Sequence, residues 1–431
     1  MAAIVTNNFR FHNAEQFTEA FTETSGNNMY LFIGRPIAWS DENSPDTPVD
    51  STLNSFNHWD DMIALKRVTS SDIKYVIPRY DWTSGTVYTE YSDTLGTLFD
   101  SEFYVLTDDY NVYKCLFNNS GVASTTKPTG TSNSVLTTAD GYKWKYMYTV
   151  TAGDALKFLT TDFMPVTTDS TVSAAAVDGS VQVIKVTNGG SGYVSAPNVI
   201  ISGDGANCTA TATITSNAVS SITVTNVGSG YRKASISFEG GSGANAAAKA
   251  VISPAGGHGY NAVRELGGLY IMMNTRLEYA DGSGDFPVAQ DFRKIGIIRD
   301  PQSYGTGNVA TATTMNATKY LNVTSVSGTF SNDEYITGGT SGANARVVAT
   351  TVSGSNSTVR FMQANTLSGN YTAFTVGETI TGASSGASGT VGGVANPESQ
   401  RYTGDVIYVD QRKAISRASD QVESIHLVVE F

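Results

Sequence analysis

The sequence predicts a mainly β fold, α+β with few helices, around a discontinuous, β-sandwich-like core. Short segments rich in Val, Ile, Thr and Tyr alternate with turns rich in Gly, Ser and Asn along most of the 431 residues, a pattern typical of strands. Apolar residues at helical spacing are confined to a few short stretches. Two stretches repeat internally, and each repeat unit predicts strands joined by glycine turns.

These patterns divide the chain into a core in three pieces and two inserted all-β modules. The core pieces are residues 1–177, 255–306 and 396–431, and the inserts are residues 178–254 and 307–395. Insertions into surface loops cost little free energy, because the entropy of loop closure changes slowly with loop length. We therefore expect the three core pieces to close into one scaffold that carries both inserts.

The first core piece is predicted to begin with a short strand over residues 4–9, followed by a helix. Asn13 is a favourable N-cap for this helix, and Phe17 and Phe21 share one of its faces. Gly26 is the predicted end of the helix. We expect the two phenylalanines to belong to the core.

Aromatic strands dominate the rest of this piece. Residues 103–106 and 112–117 are predicted strands, and another runs through Trp144, Tyr146 and Tyr148. Because side chains alternate along a strand, these three rings are expected on one face of the sheet.

The first insert contains a duplication of 38 residues. Residues 181–214 return as residues 219–252 with half of the aligned positions identical, and each copy predicts three strands separated by glycine turns. Such a unit buries little apolar surface alone, so we expect the two copies to pack together. Tyr193 and Tyr231 occupy equivalent turn positions. Either both rings are exposed and contact a protein or a glycan, or each packs over its own glycine turn.

The second insert contains another duplication. Residues 330–347 return as residues 374–391 with half of the positions identical, which again predicts an all-β module. The second copy includes Gly382-Ala-Ser-Ser-Gly386, which fits the Gly-x-Ser-x-Gly pattern of a nucleophile elbow. That motif requires a strand before the serine and a helix after it. Glycines follow here, so the sequence does not favour catalysis.

Composition excludes several further classes of function. A formal net charge of -12 and a pI near 4.8 lack the basic face that binding of nucleic acid requires. Cys115 and Cys208 stand far apart, so neither a disulfide framework nor a zinc site is indicated. The first residues lack a secretion signal and no apolar run is long enough to span a membrane. We expect a protein made in a cytoplasm, without membrane insertion and without a cofactor.

Ionisable residues show no constellation that predicts acid–base or metal chemistry. The four histidines have no ligand-like spacing, and His58 and His258 are expected to be packed or turn residues. The neighbouring acids of Asp60-Asp61 and Asp108-Asp109 are expected to be solvated. Residues 281–285 have only part of the acidic density of a calcium loop, so a weak surface cation is the most that this segment predicts.

Four residues are candidates for contacts with other proteins. Arg35 and Trp39 follow an apolar strand, and Arg79 and Trp82 follow a strand that Pro78 must end, since proline donates no ladder hydrogen bond. Such clusters usually fix a loop to the core. They also supply the aromatic and arginine side chains that contribute most of the binding free energy at interfaces.

The stretch from Gly34 to Trp82 carries four short motifs in a fixed order. They are Gly34, Arg35 and Trp39; Pro48, Asp50 and Ser51; Trp59 and Met62; and Val76 to Trp82. This order resembles the dimeric baseplate wedge subunit of T-even-like contractile-tailed bacteriophages. The proline before Trp39 stands at position 36, whereas the family more often has it directly before the tryptophan. Similar strands occur later in the chain, at residues 113–116, 140–146, 291–301, 404–408 and 425–431.

The resemblance implies a non-enzymatic structural subunit of the virion. It implies a homodimer that joins other wedge proteins in the tail baseplate, assembled in the host cytoplasm. Neither insert has a counterpart in the family, so both are decorations about which the resemblance implies nothing. A tail-associated adhesin or glycan-binding protein is the alternative, because the inserts are rich in Gly, Ser and Thr.

Overall fold

The computed structural model describes residues 4–23, 27–277, 291–363, 371–416 and 422–431. Strands make up most of the regular structure, which confirms the predicted mainly β fold. The α-helices within this part of the chain are short: α1 (Asn7–Glu19), α2 (Thr52–Asp60), α3 (Ala152–Phe158), α4 (Ser170–Ala174) and α5 (Ala262–Glu265).

The strands are numbered in chain order. The first core piece contains β1 (Met29–Gly34), β2 (Met62–Val68), β3 (Ile73–Pro78), β4 (Tyr104–Leu106), β5 (Asn111–Phe117), β6 (Leu136–Thr137), β7 (Lys143–Thr149) and β8 (Phe163–Pro165). The first insert contains β9 (Val181–Ser191), β10 (Asn198–Gly203), β11 (Ala206–Thr215), β12 (Ala218–Ser229), β13 (Ala234–Glu239) and β14 (Ala244–Ile252). Then follow β15 (Tyr270–Leu277), β16 (Phe292–Arg299) and β17 (Gln302–Ser303).

The second insert contains β18 (Thr314–Asn316), β19 (Lys319–Ser327), β20 (Tyr335–Gly338), β21 (Asn344–Ser353), β22 (Asn356–Met362), β23 (Thr379–Gly382) and β24 (Ser388–Ala395). The chain continues with β25 (Ser399–Gln400), β26 (Asp405–Ile415) and β27 (Glu423–Glu430).

The chain forms two compact units. Unit 1 consists of Met1–Ala14, Lys74–Met272 and Val428–Phe431, and unit 2 consists of Glu15–Ile73 and Met273–Leu427. Unit 1 contains the first insert and unit 2 contains the second. Each unit also takes residues from all three predicted core pieces.

Unit 2 is built on a five-stranded sheet of order β18-β2-β1-β16-β26. Strand β1 is central and buried along its whole length, as expected for its uninterrupted apolar sequence. It pairs antiparallel with β2 and β16, with Leu31 opposite Lys66 on one side and Ile297 on the other. Strands β1 and β2 come from the first core piece, β16 comes from the second and β26 comes from the third. Distant segments of the chain therefore share one sheet.

Unit 1 contains the sheet β4-β5-β7-β6 with a separate hydrophobic cluster on each face. Trp144 and Tyr146 lie in one cluster, whereas Tyr148 lies in the other. The prediction that all three rings share a face is therefore wrong. Val112 is opposite Tyr148 but Tyr113 is opposite Tyr146, and the β-bulge between these pairs reverses the alternation.

The start of the chain also differs from the prediction. Helix α1 includes Asn13 in its interior and begins at Asn7, where the Thr6 carbonyl accepts hydrogen bonds from the N–H groups of Phe9 and Arg10 at 3.0 and 3.2 Å. Ile4 is 85% exposed, so no sheet contact rewards its β propensity. The helix ends at Glu19, well before Gly26, which lies outside the described residues.

The first insert is an interlocked pair of repeats. Strand β9 of the first copy pairs with β14 of the second, with Ile184 opposite Ala250. The equivalent pair, β11 with β12, has Ala212 opposite Ile222, which is the same pairing with the copies exchanged. The two middle strands, β10 and β13, pair with each other. Each copy therefore completes its sheet with strands of the other copy, as the predicted joint packing requires.

The second insert closes into a six-stranded barrel, β19-β22-β21-β20-β23-β24. Its interior is filled by apolar side chains, among them Leu321, Phe361 and Phe374. Equivalent strands of the two copies meet at β20 and β23, where Thr337 is opposite Thr381. These residues are equivalent in the duplication, so the local two-fold axis of the repeat passes through this pair.

Candidate functional site

The four predicted contact residues lie at two clefts, one in each unit. Arg79 and Trp82 line a cleft of about 730 Å³ in unit 1, called here the Arg79 cleft. Arg35 and Trp39 line a cleft of about 260 Å³ in unit 2, called here the Arg35 cleft. The two members of each pair therefore lie at one cleft.

Local hydrogen bonds fix the Arg79 cleft. Arg79 follows the end of β3, and its Nε donates to Asp81 at 2.9 Å while its Nη1 donates to the Thr160 carbonyl at 2.8 Å. Trp82 is half-buried, and its Nε1 donates to the Ser124 hydroxyl at 3.2 Å. These bonds hold both side chains in defined positions at the wall of the cleft.

The rim of the Arg79 cleft is acidic and aromatic. Tyr110 is 48% exposed and has a positive φ of 60°, a conformation that the tight turn between β4 and β5 imposes. Asp108 lies beside it and accepts a hydrogen bond from Lys127 at 2.5 Å, which lowers the pKa of its carboxyl. Asp108 and Asp109 are solvated, with side chains 75% and 62% exposed, as predicted. Nothing in the sequence singled out Tyr110.

Arg35 and Trp39 form a stack at the Arg35 cleft. The guanidinium carbon of Arg35 lies 3.6 Å from the centroid of the Trp39 ring. Trp39 is only 6% exposed, and its Nε1 donates to the Arg412 carbonyl at 2.8 Å. The tryptophan is therefore a fixed platform, and the arginine is the member of the pair that faces the cleft.

Charged residues that were not among the predicted contact residues line the same cleft. Asp60 and Asp61 are each only 5% exposed, so the prediction that this pair is solvated is wrong. Asp61 accepts two hydrogen bonds from Lys294, at 2.7 and 2.8 Å, and Asp60 accepts one from the Tyr402 hydroxyl at 2.8 Å. Burial of a carboxylate requires such partners. Lys294, a charged residue near the start of the largely apolar strand β16, was the sequence feature that could have indicated a buried acidic partner.

His58 is packed, as predicted. It lines the Arg35 cleft and is 9% exposed. Burial, reinforced by the charge of Lys294, lowers its pKa to about 4, so the ring is neutral at pH 7. Its Nδ1 atom is buried and has no hydrogen-bond partner within the described structure.

Tyr193 and Tyr231 are not exposed aromatics. Each ring is 3% exposed and covers a glycine of the opposite repeat copy. A Cβ atom at Gly243 would lie 2.3 Å from Cγ of Tyr193, and a Cβ atom at Gly205 would lie 2.4 Å from Cγ of Tyr231. The packing alternative therefore describes these residues, with the difference that each ring crosses to the other copy. A buried ring offers no face to a glycan.

The serines of the Gly-x-Ser-x-Gly segment are bound by a carboxylate. Ser384 and Ser385 each donate a main-chain N–H to Oε2 of Glu334, at 3.0 and 2.9 Å, and the Ser385 hydroxyl donates to Oε1 at 2.7 Å. Glu378 binds Thr340 and Ser341 in the equivalent way. Each repeat copy thus supplies the carboxylate that closes the turn of the other, which gives these serines a structural role.

A buried ionic network in unit 1 was not predicted. Lys114 is fully buried and donates a hydrogen bond to Glu265, whose Oε1 also accepts the N–H of Gly259 at 2.7 Å. The ring of Tyr91 packs edge-on against His258 with centroids 4.8 Å apart. Burial and the charge of Lys114 lower the pKa of His258 well below its usual value, so this histidine is a neutral core residue.

Within the described ranges, no group of three or more His, Cys, Asp or Glu side chains is arranged to hold a metal ion. Residues 281–285, the weak calcium candidate, lie outside those ranges. Among the described helices, none has the length and hydropathy of a membrane span.

Comparison with known proteins finds a sequence similarity over the first part of the chain. Residues 3–117 match the family model described as Gp8 of bacteriophage T4. The resemblance to a phage baseplate wedge subunit is confirmed. A curated relative, the baseplate wedge protein gp8 of Enterobacteria phage T4, is 24% identical over 201 residues, which cover 38% of this chain and 60% of the T4 protein. The chain thus spans about 60% of the length of that relative.

Proposed function

We propose that this protein is a structural subunit of the baseplate wedge of a contractile phage tail. It dimerises and joins neighbouring wedge proteins, and it reaches the virion after assembly in the host cytoplasm. The match of residues 3–117 to the Gp8 family carries this proposal. The relative named as a baseplate wedge protein of phage T4 supports it.

The location of the contact residues agrees with this role. Arg35, Trp39, Arg79 and Trp82 all lie within residues 3–117, the segment that matches the family. Tyr193 and Tyr231, which are buried, lie outside it. The surface features of the matched segment are therefore the first candidates for contacts between subunits.

We further propose that the protein has no enzymatic activity. The polar groups that could suggest catalysis have structural partners: Glu334 closes a turn, and Glu265 neutralises the buried Lys114. A subunit of this kind acts through its interfaces, where a few aromatic and arginine side chains contribute most of the association free energy.

The Arg79 cleft is the contact surface that we assign to a neighbouring wedge protein. Arg79 and Trp82 are held in place by their hydrogen bonds, so binding costs little side-chain entropy. Tyr110 offers an exposed ring at the rim, and the solvated acids beside it suit a partner with basic residues.

Co-purification of the full chain with baseplate wedge proteins of the same phage tests the proposal. The double variant Arg79→Ala with Tyr110→Ala is expected to weaken association at least tenfold. The matched control is Arg299→Ala with Tyr304→Ala, since Arg299 also pairs with an exposed aspartate, at 2.6 Å, and Tyr304 is 42% exposed. The control should associate as the wild type does. Failure of the wild-type chain to associate with any wedge protein would overturn the structural role.

The alternative function, a tail-associated adhesin with glycan contacts through the inserts, stays a prediction. The buried positions of Tyr193 and Tyr231 remove its aromatic basis. Specific retention of the full chain on a glycan array, together with no association with wedge proteins, would favour it.

A further inference from the structure

The guanidinium of Arg35 is charged and stacked, but it has no hydrogen bond to the rest of the described chain. Its Nε atom is buried without a partner, although the main-chain N–H of the same residue donates to the Asp61 carbonyl at 2.8 Å. Stacking on Trp39 covers one face of the guanidinium plane. The N–H donors lie at the edge of that plane, and none of them has an acceptor within the described chain.

This arrangement is unfavourable for the free protein. Burial lowers the pKa of Arg35, since a half-buried cation has lost hydration without gaining a hydrogen-bonded acid. The backbone of Arg35 has a φ of 54°, which is uncommon for a residue other than glycine. Strained residues with unsatisfied polar groups occur where the surrounding structure holds them for a ligand.

The acids that line the cleft are committed elsewhere or solvated. Lys294 neutralises Asp61 at 2.7 Å. Asp60 accepts hydrogen bonds from the hydroxyls of Tyr402 and Tyr371, at 2.8 and 3.2 Å. Asp46 is exposed on the loop before α2. It interacts with Arg35 electrostatically but does not reach it with a hydrogen bond.

A second unpaired polar atom lines the same cleft. His58 is more than nine-tenths buried and its Nδ1 has no partner among the described residues. In the tautomer with its proton on Nδ1, this neutral ring donates one hydrogen bond. Arg35 and His58 thus supply two buried donors without acceptors in one cleft.

We propose that the Arg35 cleft binds the carboxylate of an Asp or Glu side chain of a neighbouring protein. This inference rests on the proposed function and names the chemistry of one contact. A guanidinium edge matches a carboxylate through two parallel hydrogen bonds, and Trp39 holds the plane in position. Because Asp46, Asp60 and Asp61 also line the cleft, a monoanion suits the site better than a doubly charged phosphate, which these acids repel more strongly.

Exposed apolar residues near the cleft indicate which residues should flank the carboxylate in the partner protein. Helix α2 contributes His58 to the cleft and exposes Leu53 and Phe56, which are 68% and 46% exposed. Val49, 60% exposed, lines the cleft itself. An acidic residue flanked by apolar residues satisfies both features, because its neighbours cover this apolar surface when the carboxylate enters.

A peptide titration tests the site on the full chain. The probe is acetyl-Leu-Glu-Leu-amide, the comparison is acetyl-Leu-Gln-Leu-amide, and tryptophan fluorescence is followed at constant ionic strength. The glutamate peptide is expected to give a saturable change at millimolar concentration and the glutamine peptide at least tenfold weaker binding. Arg35→Gln should abolish the difference between the peptides, and Arg35→Lys should reduce it, since lysine lacks the planar fork.

A second variant strengthens the test without removing the arginine. Asp46→Asn removes the exposed acid that repels an incoming carboxylate, so it should tighten binding of the glutamate peptide about threefold. Equal binding of both peptides, or unchanged binding by Arg35→Gln, would overturn the inference. The proposed function would still stand in that case if the wild-type chain co-purified with wedge proteins.

Discussion

The exchange of carboxylates between the repeat copies of the barrel makes a specific prediction for Glu334→Gln. Glu334 is 4% exposed and accepts main-chain hydrogen bonds from Ser331, Ser384 and Ser385, at 2.7, 3.0 and 2.9 Å. It also accepts from the hydroxyls of Ser384 and Ser385. Gln keeps the shape of the side chain but replaces one acceptor oxygen by a donor.

The expected loss follows from these bonds. Hydrogen bonds to a charged group contribute about 1.5–3 kcal/mol and neutral ones about 0.5–1.5 kcal/mol. Three bonds from the turn, those of the Ser384 N–H, the Ser385 N–H and the Ser385 hydroxyl, therefore lose about 3 kcal/mol in total when the charge is removed. That free energy corresponds to roughly a hundredfold increase in the equilibrium constant for opening of the turn. The effect should be largest at residues 382–387, in the copy that does not contain the substitution.

Hydrogen exchange measured by mass spectrometry on the full chain checks this prediction. Peptides that cover residues 379–390 should exchange about a hundredfold faster in Glu334→Gln. Glu378→Gln should produce the reciprocal effect at residues 338–343. Glu239→Gln is the control, because Glu239 is exposed and its substitution should leave both turns unchanged. Faster exchange confined to residues 331–338 would refute closure of each turn by the opposite copy.

The same contact predicts a dependence on pH. Burial tends to raise the pKa of Glu334, but the hydrogen bonds from Ser385, Ser331 and Ser384 outweigh burial and lower it below its ordinary value of 4.5. A carboxyl with a depressed pKa stabilises the folded state above the unfolded pKa and loses that contribution as the pH falls. Protection of residues 382–387, corrected for the intrinsic exchange rate, should therefore decline below pH 4.5 in the wild type. In Glu334→Gln this decline should be smaller.

Two further substitutions test the interior of unit 1. Lys114→Met leaves Glu265 buried without its cation and should destabilise the unit by about 3–5 kcal/mol, which a lower midpoint of urea unfolding would show. Adding Glu265→Leu to this variant should recover part of the lost stability. An unchanged midpoint in Lys114→Met would contradict a buried charge pair. Gly243→Ala places a methyl group 2.3 Å from Tyr193 and should cost about 1–3 kcal/mol by overpacking. Gly153 lies in helix α3, and outside its own helix no atom is within 4 Å of an added Cβ, so Gly153→Ala should be neutral or slightly stabilising. An equal loss of melting temperature in the two variants would exclude the steric explanation.

The local predictions that held depend on residues close together in the chain. Pro78 ends strand β3 as predicted, since the missing N–H is a property of the residue itself. Each copy in the first insert has the predicted three strands, because glycines at fixed spacing separate the strands. Arg79 and Trp82 share a cleft because they are only three residues apart in the chain.

The predictions that failed depend on partners far away in the sequence. Tyr148 changes face because of a bulge that only the pairing of β5 with β7 reveals. Asp60 and Asp61 are buried because Tyr402 and Lys294 supply partners from distant segments. The strand predicted over residues 4–9 is also wrong, because Ile4 is exposed and gains no sheet contact and the Thr6 carbonyl accepts the first hydrogen bonds of α1.

The sequence by itself determined the mainly β class, the two duplications and the similarity to a wedge subunit, since composition, periodicity and motifs are written in the order of residues. The tertiary structure alone decided that each repeat copy pairs its strands, packs its rings and places its carboxylates against the other copy. Antiparallel strands within one copy and between two copies have the same sequence patterns, so the sequence does not distinguish them. It also decided which charges are paired. The guanidinium of Arg35 lacks an acceptor because Asp60 and Asp61 have partners from distant segments and Asp46 is exposed.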